Sequence, residues 1–145
     1  MTLDSVRPEI RWAIEAAQDK KAANLVVLKL GKLGAFAESF LVCSGESDPQ
    51  MRAIGDEIEE RLARHNVRLQ HREGRPGAEW MLLDYGAFVV HIFTERARLY
   101  YDLERLWRSA ERLDIPENGL PDSGVGSTER RRTSASKRDS DLSPS

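Results

Sequence analysis

Residues 38–50 read ESFLVCSGESDPQ, and the fold turns on them. Glu38 to Ser44 is a β-rich apolar run closed by Gly45, which predicts a strand. Ser47-Asp48-Pro49-Gln50 then opens a helix. Ser47 can accept a backbone N–H bond, Gln50 can reach back in a capping box, and Pro49 stands in the first turn, where a missing N–H is harmless. Met51, Ile54, Ile58 and Leu62 follow at spacings of three, four and four, while Glu57 with Arg61 and Glu60 with Arg64 form i,i+4 pairs on the outer face. Asn66 ends this helix, and the alternation of Val67 to His71 predicts a second strand. A strand–helix–strand unit over 38–71 needs a crossover, which makes its strands parallel and right-handed.

On the N-terminal side, Ile10, Ala13, Ile14 and Ala17 lie at helical spacing within Ser5 to Gln18, and Leu25 to Leu30 is a short strand stopped by Gly31. On the C-terminal side, Arg72 to Ala78 holds Gly74, Pro76 and Gly77 and is a loop. Trp80 to Asp84 and Phe88 to Phe93 are strands around Tyr85-Gly86-Ala87, a tight antiparallel hairpin. Thr94 can cap a last helix running to about Leu113. The order helix, strand, strand, helix, strand, strand, strand, helix predicts an α/β domain with a mixed five-stranded sheet and packed helices.

The chain has 145 residues, 40% of them hydrophobic and 32% charged. That length suits one domain with a core of its own, and no internal repeat divides it. Its 22 Lys and Arg against 24 Asp and Glu lack the basic excess of a nucleic-acid binder, so no specific DNA is expected. Apolar runs stop at four residues, as at Leu25 to Leu28, too few to span a membrane, and Met1 to Glu9 has no apolar core of a secretory signal. The single cysteine, Cys43, excludes an internal disulfide, and a cytoplasmic address is the simplest expectation. From Pro116 onward there is no aromatic residue, and five acidic charges balance five basic ones. Residues 1–115 are therefore expected to form the domain, and 116–145 a disordered Ser-rich tail. Its Arg130-Arg131-Arg132 cluster reads as solvated charge rather than as an RNA contact.

Ser44-Gly45-Glu46-Ser47 joins a strand to a helix start, a usual place for phosphate, yet neither a P-loop nor G-x-G-x-x-G is present, and Glu46 and Asp48 would repel an anion. His65, His71, His91 and Cys43 fall in four separate elements without zinc spacing. Cys43 sits in the apolar run Phe40-Leu41-Val42-Cys43, where a thiol is buried and inert, so a triad of Cys43, His91 and Asp84 lacks support. Glu59-Glu60 lies on a solvated helix face. No catalytic residue, metal or cofactor is expected.

Alternation places Trp80, Leu82 and Asp84 on one face of their strand and Met81, Leu83 and Tyr85 on the other, with Val89, His91 and Phe93 aligned in the next strand. His91 reads first as a satisfied structural histidine. In the last helix, Leu99, Tyr100, Leu103, Leu106 and Trp107 share a stripe roughly 120° wide and are expected in the core. Tyr101 falls opposite, near Arg105 and Arg108, and is expected partly exposed, as a contact anchor would be.

Three blocks then carry a resemblance. They are Val42-Cys43-Ser44-Gly45-Glu46-Ser47-Asp48 with Gln50-Met51-Arg52-Ala53-Ile54, Trp80-Met81-Leu82-Leu83-Asp84-Tyr85-Gly86 with Val89-Val90-His91-Ile92-Phe93, and Tyr100-Tyr101-Asp102-Leu103-Glu104-Arg105-Leu106-Trp107. In order and spacing they resemble the ribosomal silencing factor S family, also called Iojap-like, over about residues 7–110. The resemblance implies a nucleotidyltransferase-like fold without that fold's metal-binding carboxylate pair, since Asp84 stands alone. It implies binding to the large ribosomal subunit through its ribosomal protein fourteen, which hinders subunit joining and represses translation under nutrient limitation. The contact residues it implies are Trp80, Leu82, Asp84, Tyr85, Gly86, His91, Tyr100, Tyr101 and Glu104. Self-association of the free factor as a homodimer through the same aromatic surface is a second expectation. The chain departs from the pattern at Ala87 and Glu46, neither of which is assigned a role. Two alternatives stay open: a nucleotidyltransferase-like enzyme using Ser44, Gly45 and Asp84, and an assembly factor touching RNA through Arg130 to Arg138.

Overall fold

The computed structural model describes residues 3–31 and 37–117. Two long helices, α1 (Pro8–Asp19) and α2 (Asp48–Arg64), cover one face of a six-stranded mixed sheet. The strands are β1 (Ala23–Lys29), β2 (Ser39–Gly45), β3 (His71–Glu73), β4 (Trp80–Asp84), β5 (Phe88–Thr94) and β6 (Glu111–Asp114). Two short helices, α3 (Glu95–Tyr101) and α4 (Leu103–Leu106), lie between β5 and β6. The spatial order is β3-β4-β5-β2-β1-β6.

The apolar stripes predicted for α1 and α2 make the main core. Ile10, Ala13, Ile14 and Ala17 of α1 and Met51, Ile54, Ile58 and Leu62 of α2 are buried against Leu25, Val27, Leu41, Cys43, Met81, Leu83, Val90 and Ile92 of the sheet. Ser47 caps α2 as expected, its Oγ accepting from Gln50 N at 3.2 Å. Gln50 reaches back one residue further than a capping box requires, to Glu46 N at 2.6 Å. Its amide also donates to the carbonyls of Lys20 and Lys21 at 3.1 and 2.9 Å, so one side chain joins the start of α2 to the end of α1.

The crossover through α2 leads from β2 to β3, but these strands are not neighbours. The parallel partner of β2 is β5, with Val42 opposite His91, while β4 pairs antiparallel with both β5 and β3. The Gly86 hairpin is antiparallel, as expected. Gly86 takes φ +88, a region that favours glycine.

Three expectations need correction. The sheet has six strands, not five, because residues 111–114 pair with β1 instead of continuing a helix. The predicted last helix to Leu113 breaks at Asp102, which adopts φ 52 and ψ 52. The strand expected at Val67 to His71 starts only at His71. Asn66, at φ 62, turns the chain after α2, and Val67 and Leu69 then pack on the main core from an irregular segment. Their alternation reflects that packing and not a ladder.

The tail expected at 116–145 lies outside the described residues apart from Pro116 and Glu117. Ile115, just before it, is buried and donates its N–H to the carbonyl of Leu25 at 2.9 Å.

Candidate functional site

The second face of the sheet carries no long helix. Pairing puts Trp80 beside Phe93, Leu82 beside His91 and then Val42, and Asp84 beside Val89 and then Phe40. The period-two alternation predicted for β4 is therefore realised, with Met81, Leu83 and Tyr85 on the α1/α2 side. A second, smaller core of Val26, Leu28, Leu30, Val42, Phe93 and Ala97 underlies this face, with Phe40, Trp80, Leu103, Trp107 and Ala110 half-buried around it.

Aromatic contacts organise the face. Trp80 Nε1 donates to His91 Nδ1 at 3.1 Å, so the neutral His91 keeps its proton on Nε2. His91 is buried, Nε2 has no hydrogen-bond partner, and burial pushes the pKa of the ring down to about 4. Phe40 meets His91 edge-on at 4.5 Å and Trp107 at 5.9 Å. Tyr101, at the end of α3, lies over Trp80 with centroids 4.6 Å apart, and Tyr100 stands perpendicular to it at 5.0 Å.

Burial along α3 and α4 overturns the predicted core stripe. Tyr100 is 81% exposed, Leu99 79% and Leu106 70%, against 49% for Tyr101. Only Leu103 and Trp107 of the stripe pack inward. The cause is the turn at Asp102: residues on its two sides no longer share one helical face. Tyr101 is partly exposed, as expected, and Tyr100 joins it in an exposed patch. Arg105 and Arg108, both exposed, line an open cleft with these tyrosines and Leu106.

The remaining predicted residues have inward partners. Asp84 Oδ1 accepts from Gly86 N at 2.8 Å and shapes the hairpin. Tyr85 is buried on the opposite side, stacked on Phe88 at 5.0 Å, and its hydroxyl has no partner. Burial raises the Tyr85 pKa, Glu59 adding to the rise and Arg72 opposing it. Glu104 forms a two-pronged pair with the buried Arg98, Nε to Oε1 at 3.0 Å and Nη2 to Oε2 at 3.1 Å, and also meets Arg112 at 3.2 Å. The hydrogen bond from Arg98 is the main cause holding the Glu104 carboxyl below its usual range. The structure thus gathers Trp80, Leu82, Asp84, His91, Tyr100 and Tyr101 around one face, and separates Tyr85 and Glu104 from it.

The groups considered for phosphoryl chemistry are engaged elsewhere. Ser44 Oγ accepts from Arg98 Nη1 at 2.9 Å, and a side chain at Gly45 would stand 2.8 Å from Met51 Cγ. Among the described residues no group of three or more His, Cys, Asp or Glu could hold a metal ion. No described helix is long and apolar enough to cross a membrane. Cys43 is buried, which pushes its thiol up to about 12 against a weaker pull from Arg98.

Sequence reasoning missed Phe40, Arg98, Leu99 and Leu106 as parts of this face. Arg98 left no local signal, since its acidic partner lies six residues on, outside the i,i+3 and i,i+4 pairs of a helix. Phe40 was readable only as one more apolar strand residue.

These features define an α/β domain whose second sheet face is covered only by half-buried aromatics and a bent pair of short helices, with Leu99, Tyr100, Tyr101 and Leu106 exposed beside it. A family model described as "Ribosomal silencing factor during starvation" matches residues 3–143. Ribosomal silencing factors of Bacillus subtilis and Halalkalibacterium halodurans are 36% and 35% identical over 106 residues, 73% of this chain and 90% and 91% of theirs. A crystal structure of a Chromobacterium violaceum protein superposes with a TM-score of 0.67 at 31% identity, covering 74% of this chain and 88% of that one. The chain belongs to the ribosomal silencing factor family, whose general function is ribosome silencing. Members are named as silencing factors and not as enzymes.

Proposed function

We propose that this chain binds the large ribosomal subunit through its ribosomal protein fourteen and, by occupying space the small subunit needs, hinders subunit joining and represses translation when nutrients are scarce. It works in the cytoplasm, as a steric block without catalysis. The supporting observation is the aromatic and apolar surface of Trp80, Tyr101, Tyr100 and Leu99 beside the sheet face that no long helix covers. Rigid aromatic anchors of this kind supply much of the energy in protein interfaces. Trp80, Leu82 and Tyr100 serve as contacts, and His91 and Asp84 hold the surface from beneath and from the hairpin. Tyr85, Gly86 and Glu104 act from behind. A domain of this size can present one standard interface of about 1,600 Å² in total. Self-association of the free factor through the same surface would compete with the ribosome.

Pelleting with purified large subunits is the test. The wild type is expected to co-sediment and to slow reassociation of subunits followed by light scattering. Tyr100→Ala should weaken binding by about 2 kcal/mol if Tyr100 is a hot spot, with a stability change within about 0.5 kcal/mol because the ring is exposed. Failure of the wild type to co-sediment would overturn the proposal, and unchanged binding by Tyr100→Ala would remove that anchor.

A further inference from the structure

The stretch 95–106, ERARLYYDLERL, is mostly Ala, Leu, Arg and Glu, good helix formers, and holds no Gly or Pro to break a single helix. Instead the chain turns at Asp102 into left-handed backbone, which costs a residue such as Ala on the order of 1–2 kcal/mol and Asp less, though still more than Gly. The Asp102 side chain does not cap α4, so it does not offset that cost. Something else holds the bend.

Arg98 and Glu104 do. In an unbroken helix, side chains six residues apart point about 120° apart around the axis and stand about 9 Å apart along it, which forbids a fork between them. Here both Glu104 oxygens receive the guanidinium of Arg98, whose side chain is 9% exposed. The pair therefore exists only while the chain is bent. The third Arg98 nitrogen, Nη1, reaches Ser44 at the end of β2, and Arg112 of β6 approaches the same carboxylate. One cluster, buried at Arg98 and Ser44 and exposed at Arg112, fastens α3 and α4 to both the middle and the edge of the sheet.

We propose that Arg98, Glu104 and the Asp102 backbone are positioning residues of the docking face: the fork locks the bend, and the bend sets Tyr101 over Trp80 with Tyr100 turned outward. Tyr101 closes α3 immediately before the bend and is too exposed for burial alone to hold it. Glu104 acts from inside, its side chain 19% exposed, and not as a contact. This assignment rests on the docking role proposed above and adds how the surface is kept in shape.

Two measurements are made on the same variants: near-UV circular dichroism of the Trp80–Tyr101 pair in the isolated protein, and affinity for purified large subunits. Glu104→Gln breaks the charged fork, and Asp102→Ala penalises the left-handed turn. Each should reduce the near-UV signal and weaken binding about tenfold, the equivalent of one disfavoured left-handed residue. Adding Asp102→Gly to Glu104→Gln makes that turn favourable again and should restore both readouts to within about threefold of wild type. A contact role for Glu104 gives a different pattern: lost affinity, unchanged near-UV signal and no rescue. That pattern, or wild-type behaviour in Asp102→Ala, overturns the assignment. If the wild type does not bind large subunits, the docking role itself falls, and the near-UV series alone then decides whether the fork positions Tyr101.

Discussion

His91 shows what a single residue carries in this protein. Trp80 donates to its Nδ1, Phe40 covers it, and burial keeps its pKa at about 4 against an ordinary 6.5. As pH falls, the unfolded chain takes the proton first, so the stability tied to the neutral ring is complete above pH 6.5 and is lost as pH drops from there toward 4. Unfolding free energy should therefore fall by about 1–2 kcal/mol between pH 7 and pH 5. His91→Leu should flatten that slope in urea titrations, and an equally steep slope in the variant would assign the titration to other groups. Cys43, pushed up to about 12 by burial, should stay unlabelled in the native protein at pH 8 while the unfolded chain reacts, as read by intact mass. Both environments were partly legible in the sequence: a lone histidine and a lone cysteine in apolar strand runs imply burial. Arg98 was not, because its partners at Ser44 and Glu104 are 54 and 6 residues away and follow no helical spacing.

At the level of elements, what local chemistry dictates was readable and what pairing dictates was not. The cap at Ser47, the stripe of α2, the alternation of β4 and the Gly86 hairpin follow from residue types and spacing. Ser47→Ala should cost about 1 kcal/mol. Gly86→Ala should cost about 1–2 kcal/mol, because its left-handed backbone strains any other residue. Thermal melts check both, and a neutral Gly86→Ala would mean the hairpin can take another turn. The region after Thr94 misled for a physical reason. Leu99, Tyr100, Leu103, Leu106 and Trp107 have helical periodicity, yet the chain gains more by folding back to pair β6 with β1 and bury Ile115 than by extending a helix into water. Tertiary pairing overrode propensity there, and three apolar side chains were left outside.

For the whole molecule, the asymmetry between the two sheet faces matters most. One is closed by α1 and α2 over the main core; the other is left to half-buried aromatics and two short helices. A sheet with long helices on both faces would have no such asymmetry, and nothing in composition reveals which face goes without them. A chain ending at residue 117 should keep the wild-type melting temperature, since Ile115 is the last buried side chain described, and should bind large subunits as well as the full chain does. A marked loss of either would give residues 118–145 a part in the fold or the contact.

The outermost strands have a consequence of their own. β3 has three residues and β6 four, and both are rich in charge: His71, Arg72 and Glu73 at one rim, Glu111, Arg112 and Asp114 at the other. Such rims offer an incoming chain little to zip onto, which disfavours sheet growth from molecule to molecule. Contacts made through the exposed aromatic patch are thus kept separate from strand-to-strand pairing at the sheet's edges.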